Sequence, residues 1–547
     1  MRYIIGIDLG TTNCALAFID TEQTGLPVRL FPVPQLIAEG RIETLPTLPS
    51  FCYLAASDEW SSGALKLPWG EETLTFVGQF AKIQGARLPT RLVQSAKSWL
   101  CNVAANRRDK ILPLEAADVS RRLSPVEASA NYLVHLRNAW NAVMAKGDPT
   151  LALEEQEIVL TVPASFDEVA RTLTVEAARQ AEFLHFTLVE EPQAAFYSWI
   201  SQHEREWEAK FREGDTILVC DVGGGTTDFS LIEIHQREGK LAFQRMAVGD
   251  HLLLGGDNMD AALAHTLEKK WEQGGNAPLD SRQWSELRAG ARAAKEELLS
   301  PGARPGQVYS VVLQGAGASV VKNSIALNIT REEVEALLLQ GFFGHYPLHE
   351  ALQLTKSRGF RTMGLPYEDE PSITKHLAHF LQQSRHLERG KGIDYVLFNG
   401  GTLKPEIFQK AVERALTSWF PQTVLRRLSS ASLDLAVARG AAYYGKVRRG
   451  LGVAIGGGLP RNYYLQIELK TTAGQTKSRA LTLLPRGSEE GRVFQPSEVF
   501  TLRPNTPVAF RLLASHVRLE DKEGSWVDID PAEMQGLPPI HTILRFG

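Results

Sequence analysis

The sequence has few cysteines and no long apolar run, and these two absences narrow the class of protein. Its 547 residues include only four cysteines, and no two of them form a Cys-x-x-Cys pair. This spacing argues against a disulfide framework or a zinc site and favours the reducing cytoplasm. No apolar segment reaches the roughly 20 residues that a membrane helix requires, so we expect a cytoplasmic protein without a membrane partner.

A large excess of charge of either sign is also absent. The formal net charge is -4 at pH 7, with 44% hydrophobic and 22% charged residues. Nothing in this balance favours nucleic acid or an anionic membrane as the main partner. At this length one hydrophobic core is not enough, and we expect at least three packed units.

An internal repeat is the clearest positive feature of the chain. Residues 3–19 and 216–234 share one order: an apolar strand, an Asp-x-Gly turn with hydroxyl residues, and a second apolar strand. Each segment is predicted to be a hairpin. Two matching hairpins separated by about two hundred residues predict two similar lobes that face each other.

Strands alternate with helical patterns over most of the chain, which predicts an α/β fold. We assign residues 1–213 to the first lobe and 214–450 to the second. The glycines in 451–460 predict a flexible linker. From residue 461 to 547 apolar and polar residues alternate with period two, which predicts a small β-rich domain.

The turns of the two hairpins have the composition of a phosphate site. Gly10-Thr11-Thr12 and Gly223-Gly224-Gly225-Thr226 offer backbone N–H groups that can wrap an anion closely. Asp8 and Asp221 precede them and are expected to hold Mg²⁺ through its waters. A third turn, Asn399-Gly400-Gly401, follows in the expected order. The chain contains no P-loop or Rossmann fingerprint.

As a set, these motifs resemble the seventy-kilodalton heat-shock (DnaK-type) chaperone family. The two phosphate signatures are residues 5–13 and 221–228, and the resemblance covers most of residues 1–450. Further matching segments are Val77-Gly78-Gln79 with Ser95-Ala96-Lys97, Thr161-Val162-Pro163-Ala164-Ser165-Phe166 with Arg171, Glu191-Pro192-Gln193-Ala194-Ala195, Gly255-Gly256-Asp257-Asn258-Met259-Asp260, and Asp434-Leu435-Ala436-Val437-Ala438-Arg439-Gly440-Ala441-Ala442.

The resemblance implies an actin-like, two-lobed ATPase built from a duplicated ribonuclease-H-like domain. A small β-sandwich-like domain would follow and bind a polypeptide client. The implied cofactors are ATP or ADP with Mg²⁺, and the implied reaction is slow hydrolysis of ATP to ADP and phosphate. A nucleotide-exchange factor is an implied partner. The family's helical lid is not found after this domain, so we expect either a divergent, lidless member or a chain that has been cut short.

The resemblance also implies roles for particular residues. Lys97 would orient the attacking water, Glu191 would act at that water or beside the metal, and Pro163 and Arg171 would relay nucleotide state towards the β-rich domain. Asp8, Asp221 and Thr226 complete the implied catalytic set. The implied nucleotide contacts are Gly10, Thr11, Thr12, Asn13, Gly223, Gly224, Gly225, Thr227, Gly255, Gly256, Lys295, Gly400, Gly401 and Asp434.

Several positions depart from the family pattern. Thr227 replaces a usual Phe, Arg292 replaces an acidic residue and Leu299 replaces a serine. Thr402-Leu403-Lys404 stands where an arginine stacks on adenine, so we expect weakened adenine binding. Thr187 stands where an arginine meets the J-domain co-chaperone, which argues against that partner.

Two other functions fit the same fold, because a fold does not dictate a function. One is a small-molecule kinase of the actin-like superfold, which would require an Asp base aimed at a substrate hydroxyl. The other is a nucleotide-dependent scaffold that serves assembly with little turnover.

Overall fold

The structure is a computed structural model of the whole chain. It describes all residues except 57–58, 62, 71–72, 103–104, 115, 117, 165, 238, 250–251, 314–324, 354–367, 385, 457–458, 460, 471–475, 486–487, 489–493, 496–506, 516–517, 519–520, 532, 538 and 544–547. Within the predicted linker, Gly457 and Gly458 lie outside the described residues. Within the predicted β-rich domain, two runs of β-like sequence are affected: 499–502 lies wholly outside the described residues, and 542–546 lies outside them from residue 544.

The first lobe is mixed α/β. Its elements are β1 (Tyr3–Leu9), β2 (Asn13–Asp20), β3 (Arg29–Leu30), β4 (Val33–Ala38), β5 (Arg41–Leu45), β6 (Leu48–Pro49), β7 (Cys52–Leu54), β8 (Thr75–Val77), α1 (Gln79–Arg87), β9 (Leu92–Val93), α2 (Ala96–Trp99), α3 (Pro125–Trp140), β10 (Glu157–Val162), α4 (Glu168–Gln180), β11 (Phe186–Glu190), α5 (Glu191–His203) and α6 (Trp207–Lys210).

The second lobe has the same mixed character. Its elements are β12 (Thr216–Val222), β13 (Thr227–Arg237), β14 (Lys240–Val248), α7 (Gly256–Gln273), α8 (Ser281–Leu298), β15 (Val308–Leu313), β16 (Ile325–Thr330), α9 (Arg331–Phe342), α10 (Leu348–Ala351), α11 (Ile373–Gln383), β17 (Tyr395–Asn399), α12 (Glu406–Trp419), β18 (Arg426–Leu428), α13 (Ala436–Arg448) and β19 (Ile455–Gly456).

The central sheets of the two lobes have matching topology. In the first, β1 pairs antiparallel with β2 and parallel with β10, and β10 pairs parallel with β11. In the second, β12 pairs antiparallel with β13 and parallel with β17, and β17 pairs parallel with β18. The predicted internal repeat is therefore present as two equivalent sheets, each with its Asp-x-Gly turn between the first two strands.

Helix α13 ties the lobes together. It lies in the range assigned to the second lobe, yet it packs against β1, β2, β10 and α5 of the first. The approach is close because, at each contact, a glycine of one element faces the backbone of the other. A Cβ at Gly440 would lie 1.6 Å from the Ala194 carbonyl oxygen, and one at Gly6 would lie 2.2 Å from the Ala442 nitrogen. Only residues without a side chain allow this crossing.

The segment after α13, where the sequence predicts a flexible linker, is docked at Ile455 and Gly456. These residues form β19, which pairs parallel with the edge strand β14. The Ile455 backbone N–H donates to the Tyr197 hydroxyl over 3.1 Å, and its side chain is 7% exposed within an apolar cluster. Burial of this side chain and pairing at a free strand edge hold a segment that its glycines alone would leave mobile.

The C-terminal region is a separate antiparallel sheet. Its strands are β20 (Asn462–Lys470), β21 (Thr476–Leu484), β22 (Pro507–Ser515), β23 (Trp526–Asp528), β24 (Gln535–Gly536) and β25 (Ile540–Ile543). Pairing runs β23-β21-β20-β22, with both β24 and β25 on β22. The β-rich character predicted from the period-two pattern is present.

None of the helices in the described part of the chain combines the length and the apolarity needed to cross a membrane.

Candidate functional site

A cavity of about 710 Å³ lies between the two central sheets. It is lined by both Asp-x-Gly turns and by the turn that follows β17. A volume of this size is typical of sites that hold a small molecule or cofactor. The predicted residues that line it are Asp8, Gly10, Thr11, Thr12, Asn13, Lys97, Glu191, Asp221, Gly223, Gly224, Thr226, Gly256, Lys295, Gly400, Gly401 and Asp434.

Several glycines of these turns sit where no side chain fits. A Cβ at Gly10 would lie 2.1 Å from the Asn13 carbonyl oxygen, and one at Gly224 would lie 2.0 Å from the Thr12 hydroxyl. Gly400 has φ +87°, and a Cβ there would lie 2.2 Å from the Val222 carbonyl oxygen. The turns of the two lobes therefore nearly touch and expose backbone to the cavity.

Two carboxylates face the cavity from equivalent positions, and Asp221 is buried. Burial, followed by the charge of Glu191, raises the pKa of Asp8 to about 7. Burial, followed by the charge of Glu191, also raises the pKa of Asp221 well above its ordinary range. Asn399 donates to Asp221 through Nδ2 over 2.8 Å, while its own buried Oδ1 has no hydrogen-bond partner within the described part of the chain.

Lys97 brings a cation to this acidic centre. Its side chain is 6% exposed and is paired with Glu191, the first residue of α5. Burial alone would lower the pKa of Lys97, but the charges of Glu191 and Asp8 raise it above its ordinary value. Lys97 is therefore an ammonium group at neutral pH, able to donate hydrogen bonds and unable to accept a proton.

An ion network borders the cavity on the side of α7 and α8. Arg292 donates to Asp257 over 2.6 Å and to Asp260 over 2.7 Å. Lys295 contacts Asp260 over 2.6 Å and donates to the Gly256 carbonyl oxygen over 2.9 Å. The basic residue at 292 is thus accommodated by two carboxylates of α7.

The predicted base end of the cavity has no exposed arginine plane among the described residues. Lys404 pairs with Asp434 over 2.5 Å, and Thr402 donates to the Gly223 carbonyl oxygen over 2.7 Å. Glu296 and Leu299 of α8 line the same region. A planar base at this end would lie among Leu299 and the charged side chains of Glu296, Lys404 and Asp434.

Three predicted nucleotide contacts do not line the cavity. Thr227 is fully buried and donates to the Leu254 carbonyl oxygen over 2.7 Å. A Cβ at Gly255 would lie 2.6 Å from the Gly223 carbonyl oxygen, and one at Gly225 would lie 2.4 Å from the Ser98 hydroxyl. Thr227 and Gly255 pack beside the second Asp-x-Gly turn, while Gly225 of that turn faces α2.

The two predicted relay residues lie away from the cavity. Pro163 directly follows β10 and is buried. Arg171 donates to Glu190 over 2.9 Å, and Arg245 of β14 pairs with the other oxygen of the same carboxylate. The ion cluster of Arg171, Glu190 and Arg245 lines a smaller cavity together with Tyr463 of β20. This cluster therefore lies where both lobes and the C-terminal sheet meet.

Sequence reasoning left some polar neighbours of the site without a role. Asp257 lies in the same motif as Gly256, and Ser95 lies in the same motif as Lys97, but neither was predicted to have a role of its own. Ser95 donates to Asp257 over 2.7 Å across the interlobe cleft. The motifs named both residues, but spacing along the chain does not show that they meet.

The residues present fit a magnesium–polyphosphate ligand. Glycine turns offer N–H groups, and the carboxylates of Asp8, Asp221 and Glu191 lie near one another, with the ammonium of Lys97 beside Asp8 and Glu191, so the centre is suited to added positive charge. The unpartnered Asn399 oxygen faces the same region. Among the described residues, no group of three His, Cys, Asp or Glu side chains is placed to hold a metal ion.

Comparison with known proteins identifies relatives of the chain. The family model described as Hsp70 protein matches residues 4–354. A curated relative, a Chaperone protein HscA homolog from Bordetella pertussis, is 30% identical over 346 residues, which cover 61% of this chain and 46% of the relative. The chain therefore spans about half the length of that relative. The family match includes the first two phosphate turns and stops before Gly400 and Asp434.

Proposed function

The chain belongs to the Hsp70 family, and from this membership we propose that it binds and slowly hydrolyses ATP in the interlobe cavity, with polypeptide binding by residues 461–547 under nucleotide control. One observation carries the proposal. Two equivalent glycine turns from two sheets of equal topology meet at one cavity, beside the buried pair of Lys97 and Glu191. The C-terminal region would then be the client-binding unit of a chaperone.

Hydrolysis at this site would rest on positioning and on charge. The backbone N–H groups and hydroxyls of Thr11, Thr12 and Thr226 would hold phosphate oxygens. Bound Mg²⁺, held by Asp8 and Asp221 through its waters, would neutralise phosphate charge. As an ammonium, Lys97 would donate to the attacking water and hold it in line with the γ-phosphorus, while Glu191 fixes the ammonium.

Nucleoside contacts would come from both sides of the cavity. Lys295, which contacts Asp260 and the Gly256 carbonyl, would reach a ribose hydroxyl. Gly400, Gly401 and Asp434 would border the base. The absence of a stacking arginine in this described region supports weak selection for adenine.

Two connections support communication with the C-terminal sheet. The strand β19 extends the second lobe's sheet directly before β20, and the Arg171–Glu190–Arg245 cluster lies beside Tyr463. Closure of the lobes on ATP would change both connections. Any coupling is reciprocal, so a client would change nucleotide affinity by the same factor, typically equivalent to about 1–3 kcal/mol.

The catalytic part is tested by Lys97→Ala in single-turnover ATP hydrolysis. We expect the rate to fall about 100-fold or more, with nucleotide affinity largely kept, because a positioned donor is lost. Lys375→Ala is a matched control, since it removes another lysine, whose side chain is 12% exposed, from its glutamate partner, 2.9 Å away and outside the cavity. A near wild-type rate for Lys97→Ala contradicts the assignment.

The chaperone part is tested by peptide binding to the intact chain. Affinity is measured with ATP, with ADP and without nucleotide, and it should differ between the ATP and ADP states. Equal affinities together with very slow turnover would instead favour a nucleotide-dependent scaffold. Transfer of the γ-phosphate to a small molecule would favour a kinase.

A further inference from the structure

The residue that begins helix α2 has an unusual conformation. Ser95 has φ 54° and ψ 29°, which is the left-handed region that residues with a Cβ rarely adopt. Its carbonyl oxygen accepts from the backbone N–H groups of Ser98 and Trp99 and so starts the helix. A non-glycine residue keeps this conformation only where its surroundings over-determine it.

The hydroxyl of Ser95 does not cap its own helix. A serine at this position usually accepts from a backbone N–H two or three residues later, but here no side-chain cap bond is formed. Instead the Ser95 hydroxyl crosses to the second lobe and donates to Asp257 Oδ2 over 2.7 Å. The left-handed turn thus directs the hydroxyl across the cleft.

Asp257 is itself firmly held. Its other oxygen accepts from Arg292 over 2.6 Å, and Arg292 also donates to Asp260, which is 1% exposed. Asp260 in turn contacts Lys295. The acceptor of the Ser95 bond therefore belongs to a buried ion network that is anchored to both α7 and α8.

A second contact fixes the same short helix from the second lobe. A Cβ at Gly225 would lie 2.4 Å from the Ser98 hydroxyl, so the phosphate turn of the second lobe lies directly against α2. Lys97 stands between Ser95 and Ser98. Both ends of the helical turn that carries it thus contact the second lobe.

We propose that the Ser95–Asp257 hydrogen bond is an interlobe latch that positions Lys97 when the cleft closes. Ser95 and Asp257 act through Lys97, so they are positioning residues for the proposed hydrolysis, on which this inference rests. When the lobes separate, the latch breaks, α2 loses its left-handed start, and Lys97 moves away from its catalytic place. Closure of the cleft and readiness for hydrolysis are then one event.

The test compares three serine variants in single-turnover hydrolysis and in ATP binding by calorimetry. Ser95→Ala should slow hydrolysis about tenfold or more while ATP affinity changes less than about threefold, because small displacements of a catalytic group are costly. Ser95→Asn should restore the rate to within about threefold, since asparagine tolerates the left-handed region and its amide N–H can donate to Asp257. Ser124→Ala is the matched control, because it removes an ordinary cap hydroxyl from α3.

Hydrogen exchange of residues 96–100 in ATP-bound protein gives a readout that does not depend on turnover. Ser95→Ala should exchange faster there than wild type, and Ser95→Asn should not. Adding Asp257→Ala to Ser95→Ala should slow hydrolysis no more than about threefold beyond the worse single variant, because one shared bond is lost.

A wild-type rate and wild-type exchange in Ser95→Ala would overturn the latch, as would equal effects of Ser95→Ala and Ser124→Ala on the rate. If wild-type protein binds ATP without hydrolysing it, the proposed function fails, while exchange at residues 96–100 still decides whether the latch exists.

Discussion

Replacing Glu190 with glutamine should destabilise the protein strongly, because this carboxylate holds two guanidinium groups from different lobes. Its side chain is 10% exposed, and its partners Arg171 and Arg245 are 22% and 11% exposed. Glu190→Gln keeps the shape and removes the charge, so two cations face each other without their shared anion. Breaking a buried pair in this way typically costs about 3–5 kcal/mol, and we expect a loss in that range.

The assay is urea denaturation at pH 7, followed by tryptophan fluorescence. Glu182→Gln is a matched control in the same lobe: Glu182 also pairs with an arginine, over 2.6 Å, but its side chain is 69% exposed. An exposed pair of this kind contributes about 0–1 kcal/mol. A loss below about 1 kcal/mol for Glu190→Gln, or a loss equal to that of Glu182→Gln, would refute the reasoning.

The cluster of Glu190 with Arg171 and Arg245 also predicts how the stability of the protein depends on pH. Burial alone would raise the pKa of Glu190, but the charges of Arg245 and Arg171 bring it below its ordinary value. A carboxyl group with a lowered folded-state pKa stabilises the fold above its unfolded pKa of about 4.3, and this stabilisation is lost as the pH falls further. The stability difference between wild type and Glu190→Gln should therefore be full at pH 7 and shrink below pH ~4. A difference that grows towards low pH would contradict this assignment.

Three further predictions concern the base site, the interlobe helix and the linker. Because Lys404 stands where a stacking arginine is expected, GTP should bind within about tenfold of ATP in calorimetric titration; strong rejection of GTP would show another selective contact. Gly440→Ala should lower stability by about 1–3 kcal/mol or more in thermal unfolding, because its Cβ would overlap the Ala194 carbonyl; an unchanged melting temperature would be inconsistent with the close crossing. Tyr197→Phe removes the hydroxyl that holds the Ile455 backbone, so limited proteolysis near residue 455 should be faster than in wild type, and equal rates would mean that strand pairing alone holds the segment.

Sequence patterns predicted the parts of the site that depend on local chemistry. The Asp-x-Gly turns at Asp8 and Asp221 were recognisable because close backbone approach to an anion requires glycine wherever it occurs. The period of the apolar residues likewise indicated the β-rich character of residues 461–547. The cavity that unites these turns agrees with the two-lobed arrangement expected from the repeat.

Other features could not be read from the chain. Nothing local distinguishes Gly225 or Thr227, which do not line the cavity, from their neighbours that do. Ile455 lies among glycines that predict mobility, and only the exposed edge of β14 and an apolar cluster make it a strand. These outcomes depend on which surfaces meet after folding.

The sequence by itself determined the family, the duplicated order of strand, turn and strand, and the residue types able to hold phosphate and magnesium. Local backbone requirements and hydrophobic periodicity are properties of short segments, so they are readable without a fold. Only the tertiary structure decided that Ser95 meets Asp257 across 162 positions of sequence, and that Glu190 is shared by arginines of two lobes. Such contacts arise when separate lobes pack and exclude water. The separation of two residues along the sequence does not predict whether they will meet in this way.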